Sequence, residues 1–282
     1  WCQELALAAA AVQRSAGLAS GLGSPVPGSA STLGLRLGSV PRVTAAVAPF
    51  LVRVGLPDLP AGDGTAVPPG RTVSVVGVRT SAAVGVVDGW QLAPTVGGVL
   101  SLDVLADWTW TRYPGGEGFD GGGSGLGVGA RLGVFRESFT LPGVSVSVMQ
   151  RWPAGVRLGS VAPGAGEVEV DGSVTSVRAT VGKNLFALGL LAGYGWERYN
   201  GDVSLSAAVP GGMGVVTGAA AGSSRQDRQV YFVSGWFNFL ITQIAVEAGL
   251  AEGFDHPFGG RSAGFESADR TLFMTAAFRI TI

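Results

Sequence analysis

The chain of 282 residues has one cysteine, Cys2, and one histidine, His256. A lone cysteine excludes an intramolecular disulfide framework, and a lone histidine excludes a multi-histidine metal site. No window reaches the roughly 18 to 20 consecutive apolar residues of a membrane helix. The longest apolar run near the start, LALAAAAV from Leu5 to Val12, is far too short. Charge is scarce at 14% of residues, and the net value of −1 leaves no basic surface for nucleic acid. No basic region precedes the early apolar stretch, so the sequence reads as one from which any export signal has been removed. No cofactor signature is present, and none is expected.

What is present is oil without blocks. Hydrophobic residues make up 46% of the chain, glycine supplies 47 positions, and mean hydropathy is +0.37. A chain that is apolar overall but never in one run must spread its apolar residues, and the stretch VLSLDVLADWTW shows how. Leu100, Leu102, Val104, Ala106, Trp108 and Trp110 take one face, while Ser101, Asp103, Leu105, Asp107 and Thr109 take the other. The same rule sets Leu126, Val128, Ala130, Leu132 and Val134 against Gly127, Gly129, Arg131 and Gly133. It also sets Phe186, Leu188, Leu190, Ala192, Tyr194 and Trp196 against small residues. In Gln229 to Phe239 both faces are largely apolar. Apolar residues outside and polar or small ones inside describe a lipid-facing barrel. Trp108, Trp110, Tyr194, Trp196 and Tyr231 fall at strand ends, where aromatic rings favour the membrane interface.

Connection lengths give a strand count. Long connections near Gly55–Gly70, Arg112–Gly122, Trp152–Asp171, Asn200–Asp227 and Asp255–Asp269 alternate with short ones near Gly89–Pro94, Glu137–Pro142, Gly182–Asn184 and Leu240. This predicts an all-β, transmembrane, antiparallel up-and-down barrel of about ten strands, with twelve or fourteen as alternatives, over residues 31–282. Leu33 to Val54 is expected as one long strand. Residues 1–30 read as a short helix, Gln3 to Ser20, and a breaker-rich linker. A ten-stranded lumen looks too narrow for a whole helix, so capping or docking at the periplasmic mouth is expected rather than a plug.

With apolar faces on lipid, Arg36, Arg53, Arg79, Asp103, Asp107, Arg131, Arg178, Glu247 and Arg279 are expected to line the interior. All basic residues but Lys183 are arginine, whose planar fork suits carboxylates. Two readings stay open: a network that fills a closed interior, or a selectivity lining for polar or anionic solutes. The acid–base candidate is His256 in GFDHPFGG, and its neighbour Asp255 is poorly placed to orient it, so no enzyme is expected. GFDGGGSG, Gly118 to Gly125, lacks spaced acidic ligands and a phosphate-binding lysine, so it reads as an external loop. Glu167, Glu169 and Asp171 read as a solvated acidic run, with no metal.

The final segment, TLFMTAAFRITI, carries Leu272, Met274, Ala276, Phe278, Ile280 and Ile282 on one face. It resembles the C-terminal strand by which bacterial outer-membrane barrels are recognised for insertion, with Ile282 where that strand usually ends in an aromatic residue. The runs GLASGLGSPVPGSASTLGLRLGSVPRVT and TVGKNLFALGLLAGYGWERYNGDVSL resemble bacterial outer-membrane barrels that include the FadL-type transporters of hydrophobic compounds. Members of that type have more strands and a longer N-terminal hatch. The resemblance implies the outer membrane of a Gram-negative bacterium, with lipid and lipopolysaccharide as surroundings and passage of small or hydrophobic solutes as function. The alternative is a closed structural barrel that holds an envelope protein through residues 1–30 or its external loops.

Overall fold

Alternation of one apolar and one small or polar face suits a strand whose two sides meet different environments, and the strands it forms here close on themselves. The computed structural model describes residues 2–36, 39–57, 70–92, 97–113, 119–159, 165–211, 214–253 and 270–282. The order is α1 (Cys2–Gly21), β1 (Leu35–Arg36), β2 (Val40–Pro41), β3 (Val43–Pro57), β4 (Gly70–Val87), β5 (Ser101–Arg112), β6 (Phe119–Phe135), β7 (Gly143–Trp152), β8 (Val156–Gly159), β9 (Ala165–Leu185), β10 (Leu188–Gly211), β11 (Gly214–Phe239), β12 (Thr242–Ala251) and β13 (Thr271–Thr281). Neighbours pair antiparallel from β3 to β13, and β13 pairs back onto β3, with Val52 opposite Phe273. β7 and β8 act as one crossing interrupted near Pro153, since both lie between β6 and β9. The barrel therefore has ten crossings and no open edge around its girth.

Burial follows the two-face rule. In β5, Val104, Trp108 and Trp110 are exposed outward, while Asp103, Asp107 and Thr109 are buried inside. The outward faces of β4, β6, β10, β12 and β13 are likewise apolar and exposed, which forms the belt of a membrane-spanning barrel. Tyr194 and Tyr231 face each other across β10 and β11, ring centroids 5.4 Å apart, and Tyr231 pairs with Leu250 one residue from the loop end of β12. Trp196 is half-buried one rung higher, under the guanidinium of Arg198. No described helix is long and apolar enough to cross a membrane, which leaves crossing to the strands.

Four expectations are corrected. Leu33 to Val54 is not one strand: Leu35–Arg36 pairs with Val40–Pro41 as a small separate ladder, and the barrel strand starts at Val43. Asn200 to Asp227 is not a loop, because β10 and β11 stay paired through Gly211 and Gly214. β12, by contrast, is 10 residues long and pairs only with Val230–Phe239, so β11 and the hairpin it makes with β10 project past it. Much of GFDGGGSG belongs to β6, and the expected connection Trp152–Asp171 holds β8 and the start of β9, where Glu169 pairs with Arg157 at 2.8 Å. Glycine and small polar residues read as loop in these stretches, and strand pairing overrides that local preference. The fourth correction concerns α1.

Candidate functional site in the barrel lumen

The helix lies inside the barrel. Its residues from Ala9 to Gln13 and Ser15 to Gly21 are buried on every side, and it packs against β3, β4, β5, β8, β9 and β10. The wall contacts descend in step with the chain. Gln13 meets Gly201, Gly17 meets Tyr199 and Gly21 meets Glu197 along β10; Ser24 then meets Glu247 and Gly28 meets Gln243 along β12. From Gln13 to Gly21 a helix rises about 12 Å, against about 13 Å for four residues of strand. The N-terminal end of α1 thus points to the end with long connections, and the linker leaves at the short-turn end.

Sequence-based reasoning found the lumen too narrow, and the error lay in the helix diameter. The described part of α1 is mostly Ala, Gly and Ser, so it is little wider than its backbone cylinder, whose Cα radius is about 2.3 Å. A Cβ on Gly17 would sit 2.0 Å from the Tyr199 ring. Wall glycines make matching room for the linker: a Cβ on Gly143 would sit 2.3 Å from Ser31 Oγ, and one on Gly85 would sit 2.1 Å from Gly34 O.

The interior has two zones. Around the N-terminal half of α1, inward-facing Val52, Val54, Val73, Val75, Val168 and Val170 form an apolar collar against Ala9, Val12, Ala16 and their neighbours. Around its C-terminal end the wall is charged. Arg178 donates to the carbonyls of Gly21 and Gly23 and to Glu197 Oε1 at 2.7 Å. Arg228 reaches Glu197 Oε2 at 2.8 Å, and the Tyr199 hydroxyl also bonds Glu197. Arg79 lies 3.5 Å from the carbonyls of Ser20 and Gly23. Cations thus gather on the carbonyls a helix leaves unpaired, at the negative end of its dipole.

Lower down, the linker is bonded to the wall nearly residue by residue. Glu247 accepts from Ser24 N at 3.1 Å, Arg279 donates to Pro27 O at 2.8 Å, and Gln243 donates to Gly28 O at 2.9 Å. Arg131 donates to Ser29 O and to Asp103 at 2.7 Å, and Asp103 accepts from Leu33 N at 3.0 Å. Asp107 pairs with Arg151 at 2.8 Å. A cavity of about 10 Å³ beside Asp107, Ser20 and Arg151 has room for a single water.

Of the residues expected inside, Arg79, Asp103, Asp107, Arg131, Arg178 and Glu247 are buried there, and Arg279 reaches inward to Pro27. Arg53 is corrected: it is exposed on the outer face near the loop end of β3, because Val52 and Val54 take the inward positions. Arg36 lies in β1 outside the barrel ladder, and its side chain is outside the described residues. His256 and Asp255 also lie outside them. Sequence reasoning missed Arg151, Glu197, Tyr199 and Arg228, all buried inside. The parity that places Trp196 outward places Glu197 inward, but Arg228 bordered a stretch read as loop.

No protein-family model and no curated protein matches the chain. Solved structures similar to it include the outer-membrane protease OmpT from Escherichia coli, at 9% identity over 90% of this chain and 100% of that one, TM-score 0.42. The translocator domain of the autotransporter NalP from Neisseria meningitidis matches at 8% identity over 84% and 88%, TM-score 0.40. An outer-membrane channel from Pseudomonas putida matches at 11% identity over 91% and 99%, TM-score 0.36. The likeness is to outer-membrane barrels as a class.

Proposed function

We propose that this barrel is an outer-membrane anchor closed by its own N-terminal segment, which it holds through the lumen with the N-terminal end of α1 toward the cell surface. The observation that carries this is the descending series of contacts from Gln13 at Gly201 to Gly28 at Gln243. Burial of residues 9–13 and 15–21 of α1 on every side supports a bore filled by the helix. Passage of small or hydrophobic solutes therefore requires α1 to leave, and the docking role expected for residues 1–30 is met by the barrel's own interior. A polypeptide joined ahead of residue 1 would emerge on the loop side. The outward belt takes outer-membrane lipid as its partner, and Arg53, exposed near the loop end, suits the phosphates of lipopolysaccharide.

An epitope fused ahead of Trp1 tests the reading. Antibody labelling of intact cells is expected, and labelling only after permeabilisation would overturn the orientation. In planar bilayers the full chain is expected to be electrically silent and a variant lacking residues 1–30 to conduct. Steady conductance by the full chain would overturn the closed lumen.

A further inference from the structure

Among the described residues, three non-glycine positions have positive φ, and all three carry large apolar side chains: Leu100 at 57°, Phe186 at 60° and Leu240 at 54°. A side chain with a Cβ is disfavoured there, and Gly, Asn or Asp is the ordinary choice. Phe186 and Ala187 make the two-residue connection between β9 and β10, and Leu240 and Ile241 the one between β11 and β12. In a hairpin of that length a positive φ at the first central residue calls for glycine. Local chain geometry argues against Phe186 and Leu240, so their presence needs another cause.

Their surroundings supply one. Phe186 is 99% exposed, Leu240 90% and Phe139, in the next connection around the barrel, 95%. The polar groups beside them are engaged by partners within the chain. Lys183 donates to the carbonyls of Phe139 and Leu141 at 2.9 and 3.2 Å. Asn184 Oδ1 accepts from Trp236 and Asn238, both at 2.9 Å. The lipid-facing belt meanwhile runs unbroken into the tips through Leu188, Phe237 and Ile244, all exposed.

We propose that the connections bearing Phe139, Phe186 and Leu240 are a lipid-contact surface, inserted at the boundary of headgroups and acyl chains in the inner leaflet, so that the barrel ends within that leaflet rather than projecting from it. Apolar side chains at the tips gain burial there, which offsets the disfavoured backbone. The proposal stands on the membrane-spanning belt and is independent of what the lumen holds.

Nitroxide labels on Phe186→Cys and Leu240→Cys, each with Cys2→Ser, read depth directly in phosphatidylcholine and phosphatidylglycerol vesicles. Collision with oxygen is expected to exceed collision with a water-soluble nickel chelate, as at Val104→Cys in the belt. A reading like that of Asp202→Cys, on the projecting hairpin, would overturn the proposal and point to a protein partner for the tips. Phe186→Gly gives an independent sign. Glycine suits this positive φ, so a tip in water would leave the equilibrium for folding into vesicles unchanged or improved. A tip in lipid lowers it about tenfold. An unchanged or improved equilibrium overturns the proposal.

Discussion

The two parts of the N-terminal segment are held in opposite ways. Within α1, described polar links to the wall are few: Gln13 to Ser224 at 3.1 Å, Ser15 to Tyr113, and the Ser20 carbonyl to Arg79 at 3.5 Å. The rest of its seat is fit, of Ala and Gly against valines and a tyrosine ring. The stretch from Gly21 to Leu33 has the reverse character, with backbone groups bonded by Arg178, Glu247, Arg279, Gln243, Arg131 and Asp103. Apolar fit tolerates sliding along the axis, because one rung of valines resembles the next. Directional bonds to charged groups do not, since each lost bond strands a buried charge or carbonyl. The linker fixes the depth of the segment, and the helix closes the bore.

This contrast predicts that changes below the helix are the most costly. Arg178→Met removes donors from Gly21 O and Gly23 O and leaves Glu197 with Arg228 alone among the cations in contact. The loss in unfolding free energy in detergent is expected to be about 3–5 kcal/mol, accompanied by conductance in bilayers. A loss below about 1 kcal/mol would show that the arginine does not hold the linker.

Asp103→Asn is expected to cost less, about 2 kcal/mol. The amide still accepts from Leu33 N, and Arg131 keeps its bond to Ser29 O, but its charge loses its partner. Equal losses for Asp103→Asn and Arg178→Met would show that the linker is held as firmly at Leu33 as at its start beneath α1.

Gly17→Ala probes fit in place of bonding. The added methyl meets the Tyr199 ring and costs about 1–3 kcal/mol by overpacking, set against a helix-propensity gain of about 1 kcal/mol. The net stability change is expected to be small, about 1 kcal/mol. The readout that separates this variant is flickering conductance, as the helix is lifted from its seat while the linker stays bonded. A silent pore would show that the Tyr199 ring swings aside.

The barrel was legible because one periodicity recurs through strands as different as Ser101–Arg112 and Thr271–Thr281, and lipid demands the same alternation of each. The helix position was not, because it follows from side-chain volume rather than hydrophobicity. One signal pointed to it: β3, β4 and β11 carry apolar residues on both faces, as in Val52, Val54, Val73, Val75 and Phe232. An apolar inward face in a membrane barrel needs apolar cover, and α1 supplies it. The same signal inverted Arg53, since parity within β3 is decided by its valines and Phe50, and a single arginine at the rim does not outweigh them. The partner of each lumen charge needed register, which periodicity leaves free.

The weakest hold on the linker lies where it leaves the lumen. Asp88, just past the end of β4, accepts from Arg136 at 2.7 Å and from Leu35 N at 3.2 Å. Burial acts to raise its pKa, but the Arg136 and Leu35 hydrogen bonds and the charges of Arg136 and Arg42 outweigh it, leaving the carboxyl below its ordinary value. A lowered folded-state pKa stabilises the fold above the unfolded value, and that stability is lost as pH falls from about 4 through the folded value. The side chain is 44% exposed, so the effect is discounted to well under about 1 kcal/mol. It is expected to be local: the protection of the Leu35 amide against exchange, relative to its intrinsic rate, should fall below about pH 4 while the barrel's unfolding midpoint stays put. Asp88→Asn should show the lowered protection at neutral pH and remove the step in it near about pH 4. If instead the whole barrel loosens with Asp88, the exit of the linker is as firmly held as its entry beneath Arg178, and the gradient of bonding along the segment is absent.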